Sequence, residues 1–412
     1  MKKRIVFIAD GRSPIALGWM SHFASDKYET HLISTFPCEL PPSIHSLHVV
    51  PVAFSGAAKS SVQKTASAPG GARGIRLRSA IRHWVGPSTV KKASRRVESI
   101  IHTLSPDLVH ALRIPFEGMV AAEAEICAPL IISVWGNDFT LHAGSSPGMK
   151  RLTRKTMARA DGLHTDCHRD VRLAAEWGFQ GTVPIVLPGG GGIKRDIFNP
   201  GRNIPDGIDE GLAKLLNEIP YDAPVVINPR GFRAYVRNDT FFKSIPLVLR
   251  EVPAAIFLCV GMRDESEAYA WVRRLQIESN VHLLPMMRPR GMAAGFRRAW
   301  ISVSPSEHDG TPNTFLEAIA CGCFPIVGDI ESMREWIKPG DNGLLVDPGN
   351  SQAWAQAIVR AIRDNDFRST AKDMNERLIN DKAEYGFVQT KAREFYQQVP
   401  DQHEPGMRAD HV

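Results

Sequence analysis

The chain has 412 residues, 43% hydrophobic and 23% charged, with 33 Gly and 29 Pro, which excludes collagen, pervasive disorder and a disulfide-stapled miniature and calls for two or three domains. The net charge of +6 comes from 50 basic and 44 acidic residues, but it is uneven: no acid lies between Glu39 and Glu98, a gap holding Lys59, Lys64, Arg73, Arg76, Arg78, Arg82, Lys91, Lys92, Arg95 and Arg96. Such a local positive field suits an anionic partner, whether a membrane surface, a lipid phosphate or a nucleic acid.

Taken in chain order, Arg4–Ala9 reads as a buried parallel strand that ends at Asp10-Gly11; its apolar run is too short for a signal peptide. A helix over Ile15–Ala24 and a strand over His31–Ser34 follow, the opening of a doubly wound α/β domain. Pro69-Gly70-Gly71 reads as a turn, and Ile75–Trp84 and Val90–Leu104 as two basic helices. Alternation resumes with strands at Leu108–Ala111, Leu130–Val134, Gly162–Thr165 and Pro184–Leu187, and helices at Phe116–Glu125, Met149–Ala160 and Val171–Glu176. Asn199–Pro224 reads as a linker. A second α/β series runs from the strand Val225–Asn228 to the helix Ser351–Arg363, and the last strong helix spans Phe387–Gln398. No stretch approaches the ~20 apolar residues of a transmembrane helix. The six cysteines form no CxxC pair, and they read as reduced thiols of a cytosolic protein.

The densest signal is SPSEHDGTPNTFLEAIACGCFPIVG, Ser304–Gly328. It leaves a strand, crosses a Gly/Pro loop and enters a helix near Thr314. In open α/β sheets ligands bind beyond the carboxyl ends of the strands, and a helix starting there aims free N–H groups at an anion. Asp309 and Glu317 can address opposite ends of an elongated ligand, and carboxylates accept well from paired hydroxyls.

This stretch resembles the signature of family-4 retaining glycosyltransferases, the group 1 glycosyl transferases of GT-B fold, in the DGTPNTFLEA form where Asp replaces the commoner first Glu. The resemblance implies that Asp309 contacts donor-sugar hydroxyls and Glu317 the ribose hydroxyls. The backbone around Gly310, Thr311, Pro312, Asn313 and Thr314 would approach the sugar and phosphates. The family clamps the diphosphate with an Arg and a Lys. Arg230 matches the Arg, while the Lys is replaced, with Arg233 and Arg237 as substitutes. Val134-Trp135-Gly136-Asn137-Asp138 resembles the family's HGxD loop, with Trp135 in place of His. Asp138 would orient substrate or handle the acceptor proton, or cap a helix. His110 lies at a strand end expected to face the same cleft, and Asp138, His110 and Asp309 are the catalytic candidates. Gly11, Arg12, Ser13 and Arg113 are the acceptor-binding candidates; the first strand's loop is not GxGxxG, so a nicotinamide fingerprint is absent. Gly189–Gly192 permits close substrate approach or a hinge.

By resemblance the architecture is two Rossmann-like doubly wound domains facing a cleft: residues 1–198 for the acceptor, 199–380 for the donor, a helix at 381–400 returning to the first domain, and a flexible tail at 401–412. The implied reaction moves a sugar from a nucleoside-diphosphate sugar to a glycan or lipid-linked acceptor in cell-surface polysaccharide synthesis. It retains anomeric configuration and needs no metal or cofactor. The implied location is the cytoplasm, with peripheral contact to the inner membrane face through Lys59–Arg96 and no nucleic-acid partner. Rival readings are a non-enzymatic nucleotide-sugar-binding scaffold and a nucleotide-sugar epimerase on the same fold.

Overall fold

The computed structural model describes residues 2–57, 72–181, 183–201 and 207–401. Lys59, Lys64, the Pro69-Gly70-Gly71 turn and the tail from residue 402 lie outside the described residues. The chain forms two compact units, one running to Gly192 and resuming at Gly386, the other comprising Ile193–Tyr385.

Unit 1 is built on seven parallel strands: β1 (Lys3–Ala9), β2 (Tyr28–Ser34), β3 (Ser46–Val49), β4 (Leu108–Leu112), β5 (Leu130–Val134), β6 (Gly162–Thr165) and β7 (Val183–Val186). They stand in the order β3-β2-β1-β4-β5-β6-β7. The central strands β4 and β5 are buried at every position, as expected for a parallel sheet covered on both faces. The helices of this unit are α1 (Pro14–Met20), α2 (Ala72–Leu104), α3 (Met119–Glu123), α4 (Pro147–Arg159), α5 (His168–Glu176) and, at the far end of the chain, α14 (Tyr385–Asp401).

Two features of this unit depart from the sequence reading. The two basic helices are one, α2, which runs through Pro87. Proline costs one backbone hydrogen bond and usually breaks a helix. The half after Pro87 is anchored by packing: Val90, Ala93, Val97 and Ile101 are buried at helical spacing. Gly86 lies so close to Phe116 that an added Cβ would meet its ring at 2.8 Å. The helix expected from Phe116 begins instead at Met119. The chain leaves β4 through Arg113 at φ 132° and Phe116 at φ 73°, left-handed conformations that L-residues adopt only where their surroundings compel them.

Unit 2 has six parallel strands: β8 (Val225–Asn228), β9 (Ile256–Val260), β10 (Val281–Leu284), β11 (Ile301–Ser304), β12 (Phe324–Gly328) and β13 (Leu344–Val346). Their order is β10-β9-β8-β11-β12-β13. The helices are α6 (Glu210–Glu218), α7 (Asn238–Glu251), α8 (Ser266–Leu275), α9 (Pro289–Arg298), α10 (Asn313–Ala320), α11 (Glu331–Arg334), α12 (Ser351–Arg363) and α13 (Asn365–Lys382). Two separate apolar clusters form its core, one centred on Phe296, Leu316 and Ile319, the other on Phe241, Phe257 and Trp354.

The connections between the units fall at 192/193 and 385/386, where sequence placed boundaries at 198/199 and 380/381. Ile193 and Phe198 are buried in the core of unit 2. The Ile193 amide donates to the Ala383 carbonyl at 2.7 Å, and the Tyr385 amide to the Ile193 carbonyl at 3.0 Å, so the two connecting segments are pinned to each other. Strand order reverses between β1 and β4 in unit 1 and between β8 and β11 in unit 2. Loops diverge at such switch points and open a crevice for ligands. No described helix is long and apolar enough to cross a membrane.

Candidate functional site

The β8–β11 switch point of unit 2 gathers most of the residues expected to meet the donor. Arg230 follows β8, and its amide is held by the Asn228 side chain at 3.0 Å. Its guanidinium donates to Thr314 Oγ1 at 3.1 Å and to the Asp309 carboxylate. Arg230 and Asp309 are both largely buried. Arg230, Asp309 and Thr314 therefore form one hydrogen-bonded group, although 79 and 84 positions separate the arginine from its partners.

The loop 305–312 is fixed from below. Ser332 Oγ donates to the Asp309 carbonyl at 2.8 Å, and Trp336 Nε1 donates to Thr311 Oγ1 at 2.9 Å. Gly310 and Thr311 are buried, and Asn313 is half-buried. Pro312 is the N-cap of α10 and offers no side-chain acceptor; the Phe315 amide donates to the Pro312 carbonyl at 3.0 Å, which leaves the amides of Asn313 and Thr314 for whatever occupies the switch point. Gly328 at the end of β12 makes this geometry sterically tight: an added Cβ would lie 2.3 Å from the Ser306 carbonyl oxygen. Gly328→Ala is expected to displace the loop, cost about 1–3 kcal/mol of stability and weaken nucleotide binding. Denaturant melts and nucleotide titration check both effects, and an unchanged affinity would mean that the loop does not shape the site.

Glu317 lies one turn into α10. Burial pushes its carboxyl up to about 7, against the pull of the Arg230 charge. Half-buried beside the helix start, this carboxyl can, when ionised, accept from a hydroxyl pair.

Arg237 and Arg233 differ. Arg237 is committed to acids: it bonds Asp239 at 2.9 Å and Glu307 at 2.8 Å, and these hydrogen bonds, Asp239 first, raise its pKa. It braces the start of α7 against the loop. Arg233 is exposed and donates to the Tyr235 hydroxyl at 3.1 Å. Of the two substitutes for the missing Lys, only Arg233 has a guanidinium clear of carboxylates among the described residues.

The neighbouring edge holds a feature with little trace in the sequence. There a cavity of about 460 Å³ opens beyond β9 and β10, lined among others by Ile208, Leu212, Arg263, Met286 and Arg288. Its only sequence signal is the run Pro285-Met286-Met287-Arg288 directly after a strand.

In unit 1 the candidates separate. Arg12 forms a two-point pair with Asp10, both bonds at 3.0 Å. Ser13 caps α1 through Ala16, and Gly11 is buried. Arg113 pairs with Asp138 at 3.1 Å. Asp138 is 1% exposed and also accepts from the amides of Ile114 at 3.1 Å and Trp135 at 3.2 Å. Burial raises its pKa and the Arg113 charge opposes the rise. Three donors thus hold Asp138, which ties the β4 and β5 loops together.

His110 is not at an open strand end. It is 0% exposed, because β4 is central and α14 covers it. Its ring joins a chain of hydrogen bonds whose direction is fixed at both ends. Trp19 Nε1 can only donate, and it does so to the Tyr396 hydroxyl at 3.0 Å. The Leu187 carbonyl can only accept, and it takes His164 Nε2–H at 3.1 Å. His164 Nδ1 must then accept from Ser133 Oγ at 2.8 Å, and Ser133 must accept from His110 Nε2–H at 2.8 Å. His110 Nδ1 accordingly accepts from Tyr396. Both imidazoles are neutral: burial holds His110 well below its usual range and His164 down at about 4. With no ring nitrogen to spare, His110 is a structural link between the sheet and α14. That corrects its place among the catalytic candidates.

Asp166, Cys167 and Asp170, just beyond β6, have ligand atoms within 4.8 Å of one another. The Arg169 guanidinium lies 2.8 Å from Asp170 and already supplies the positive charge there.

Residues 225–364 match the family described as "Glycosyl transferases group 1", and residues 20–190 match "Glycosyl transferase 4-like domain". The D-inositol 3-phosphate glycosyltransferase of Streptosporangium roseum is 23% identical over 223 residues, covering 52% of this chain and 48% of the relative. The poly(glycerol-phosphate) alpha-glucosyltransferase of Bacillus subtilis is 24% identical over 190 residues, 44% of this chain and 26% of that protein. The chain thus spans about half the length of the first of these relatives and less of the second. Among solved structures, sucrose-phosphate synthase from Thermosynechococcus elongatus superposes with a TM-score of 0.73 at 15% identity, covering 98% of this chain and 100% of that one. Anabaena HepE in complex with UDP gives 0.68 at 15% identity over 96% and 100%. These likenesses establish the GT-B fold, and with both family matches falling on the two units described above, the chain belongs to the group 1 glycosyltransferases.

Proposed function

We propose that the protein transfers a sugar from a nucleoside-diphosphate sugar to a glycan or lipid-linked acceptor, retaining anomeric configuration and using no metal. The observation that carries this reading is the Arg230–Asp309–Thr314 group at the uncapped start of α10, with Glu317 one turn further on. Loss of the nucleoside diphosphate develops negative charge on the departing oxygen. A guanidinium and a set of helix-start amides, already aligned, stabilise that charge without reorganising. Asp309 would accept from sugar hydroxyls while sharing Arg230 with the phosphates, and Glu317 would accept from the ribose. The cavity beyond β10 is of a size for the base. No side chain of the group is proposed as a covalent nucleophile; the acceptor hydroxyl would attack on the face from which the diphosphate leaves. Unit 1 would carry the acceptor. The basic stretch of α2 would favour an anionic membrane surface at the cytoplasmic face, each engaged residue contributing ~1 kcal/mol.

The test is a thermal-shift panel with UDP, GDP, ADP and TDP and their common sugars, run with chelator present. A ligand that binds only folded protein raises Tm by mass action. One nucleotide is expected to give a clear shift, and Glu317→Gln is expected to reduce it to a small fraction. If no nucleotide shifts a demonstrably folded sample, the donor reading is lost. If a shift appears only after a divalent cation is restored, metal independence is lost.

A further inference from the structure

The β1–β4 switch point of unit 1 carries a basic group that the donor chemistry does not use. Arg12 stacks on the Phe36 ring, its Cζ 4.0 Å from the centroid. Arg82, from α2, covers the same ring at 5.3 Å and the Phe116 ring at 4.7 Å. Arg113 leaves β4 on the other side of the crevice. The acids facing this group are spoken for: Asp10 holds Arg12, Asp138 holds Arg113, and Glu117 is buried and accepts the Thr35 hydroxyl at 2.6 Å. Arg82 Nε is buried without a hydrogen-bond partner among the described residues. Beside it, His83 Nε2 and His142 Nδ1 lie 3.1 Å apart.

Structure has been spent on placing these groups. The left-handed turns at Arg113 and Phe116 set the one guanidinium and the aromatic platform of the other, and strain of this kind concentrates at ligand sites. Gly86 lets α2 sit against Phe116, which brings Arg82 over the ring. A guanidinium stacked on aromatic rings is poorly hydrated and keeps its charge for a phosphate.

We propose that Arg82, together with Arg12 and Arg113, forms an anion subsite at the β1–β4 switch point that takes the phosphate of a phosphorylated acceptor. The proposal rests on the reading of unit 1 as the acceptor unit. Arg82 donates to phosphate oxygens, and Arg12 and Arg113, each held by its carboxylate, border the subsite. Burial, then the neighbouring arginine charges, lowers the pKa of both His83 and His142, and a bound anion relieves the second of these causes.

The source of the phosphate, a soluble sugar phosphate or a lipid, is separated by calorimetric titration of the full chain in an Arg230→Ala background, which keeps phosphates from the donor site. The probes are glucose 6-phosphate and farnesyl diphosphate, each paired with its uncharged counterpart, glucose and farnesol. One charged probe is expected to bind at least about tenfold more tightly than its counterpart. Arg82→Gln is expected to remove about tenfold or more of that affinity, the worth of one charge-assisted hydrogen bond, and Arg82→Lys to restore part of it. Whichever probe binds names the source. Equal binding of charged and uncharged probes overturns the proposal, as does a loss in Lys91→Gln equal to that in Arg82→Gln, which would mark a diffuse field. The charged-to-uncharged preference decides the matter even if an Arg82 variant fails to fold. Failure here leaves nucleotide binding at Arg230 untouched in the unsubstituted chain, so the two readings fall separately.

Discussion

Arg230→Ala is expected to lower kcat/KM for the nucleotide sugar by about 10²–10³-fold, the usual loss on removing one aligned donor to a developing oxyanion. The substitution has a second consequence. Asp309 is 9% exposed, and without Arg230 it keeps a buried charge with its main counter-ion gone, a situation that costs about 3–5 kcal/mol. The two effects are separable. Arg230→Lys returns the charge to Asp309 but not the two-armed fork that also reaches Thr314, so it should recover most of the stability and little of the rate. Steady-state kinetics beside denaturant melts read both. Recovery of full rate in the Lys variant would show that the guanidinium geometry is irrelevant, and the assignment of Arg230 to the diphosphate would fall.

Ser133→Ala is expected to cost unit 1 about 3 kcal/mol. Its hydroxyl is the relay at the middle of the buried chain, donating to His164 and accepting from His110. Removing it leaves one buried donor and one buried acceptor unpaired, each worth about 1–3 kcal/mol. The same chain predicts a dependence on pH. Both histidines are neutral when folded and their folded pKa values are depressed, so the unfolded chain takes up protons first. Stability is then complete above the unfolded value of about 6.5 and declines as pH falls. His164, held at about 4, contributes roughly 3 kcal/mol to this loss by pH 4. Urea melts at pH 7.5 and pH 5 should show the decline. A flat profile would mean that the imidazoles are already charged or solvated. His142, held at about 3 chiefly by burial, adds in the same direction; it contacts His83, not Ser133, so the mutant and the pH series report partly different groups.

What sequence could convey divides along physical lines. The β8–α7 and β11–α10 segments were legible because the alternation of short apolar runs with helices is local, and because Ser304–Gly328 packs a strand end, a Gly/Pro loop and a helix start into contiguous residues. The pairing of Arg230 with Asp309 was not, since only the parallel register of β8 beside β11 brings positions so distant together. The same limit misassigned His110: a strand's inner and outer histidines look alike until the helix that covers it is known. α13 went unread because its buried stripe is only Ala371, Asn375 and Ile379, and one of these is polar. Asn375 is admitted to the core by exchanging two amide bonds, both 2.9 Å, with Asn342. The continuity of α2 through Pro87 was not legible either, since Phe116, which packs against Gly86, comes from a turn some 30 positions later in the chain.

The return of α14 to unit 1 has a consequence for synthesis. Tyr396 stacks on Phe23 at 4.1 Å, and Val388, Ala392, Phe395 and Val399 complete the apolar cluster around Phe7 and Trp19. On the ribosome, the first residues of that cluster emerge almost four hundred positions before the last. Unit 2, continuous from Ile193 to Tyr385, has all its parts before α14 exists. The half of the protein made first is therefore the half finished last, and while it waits it exposes an aromatic surface of the kind that chaperones bind.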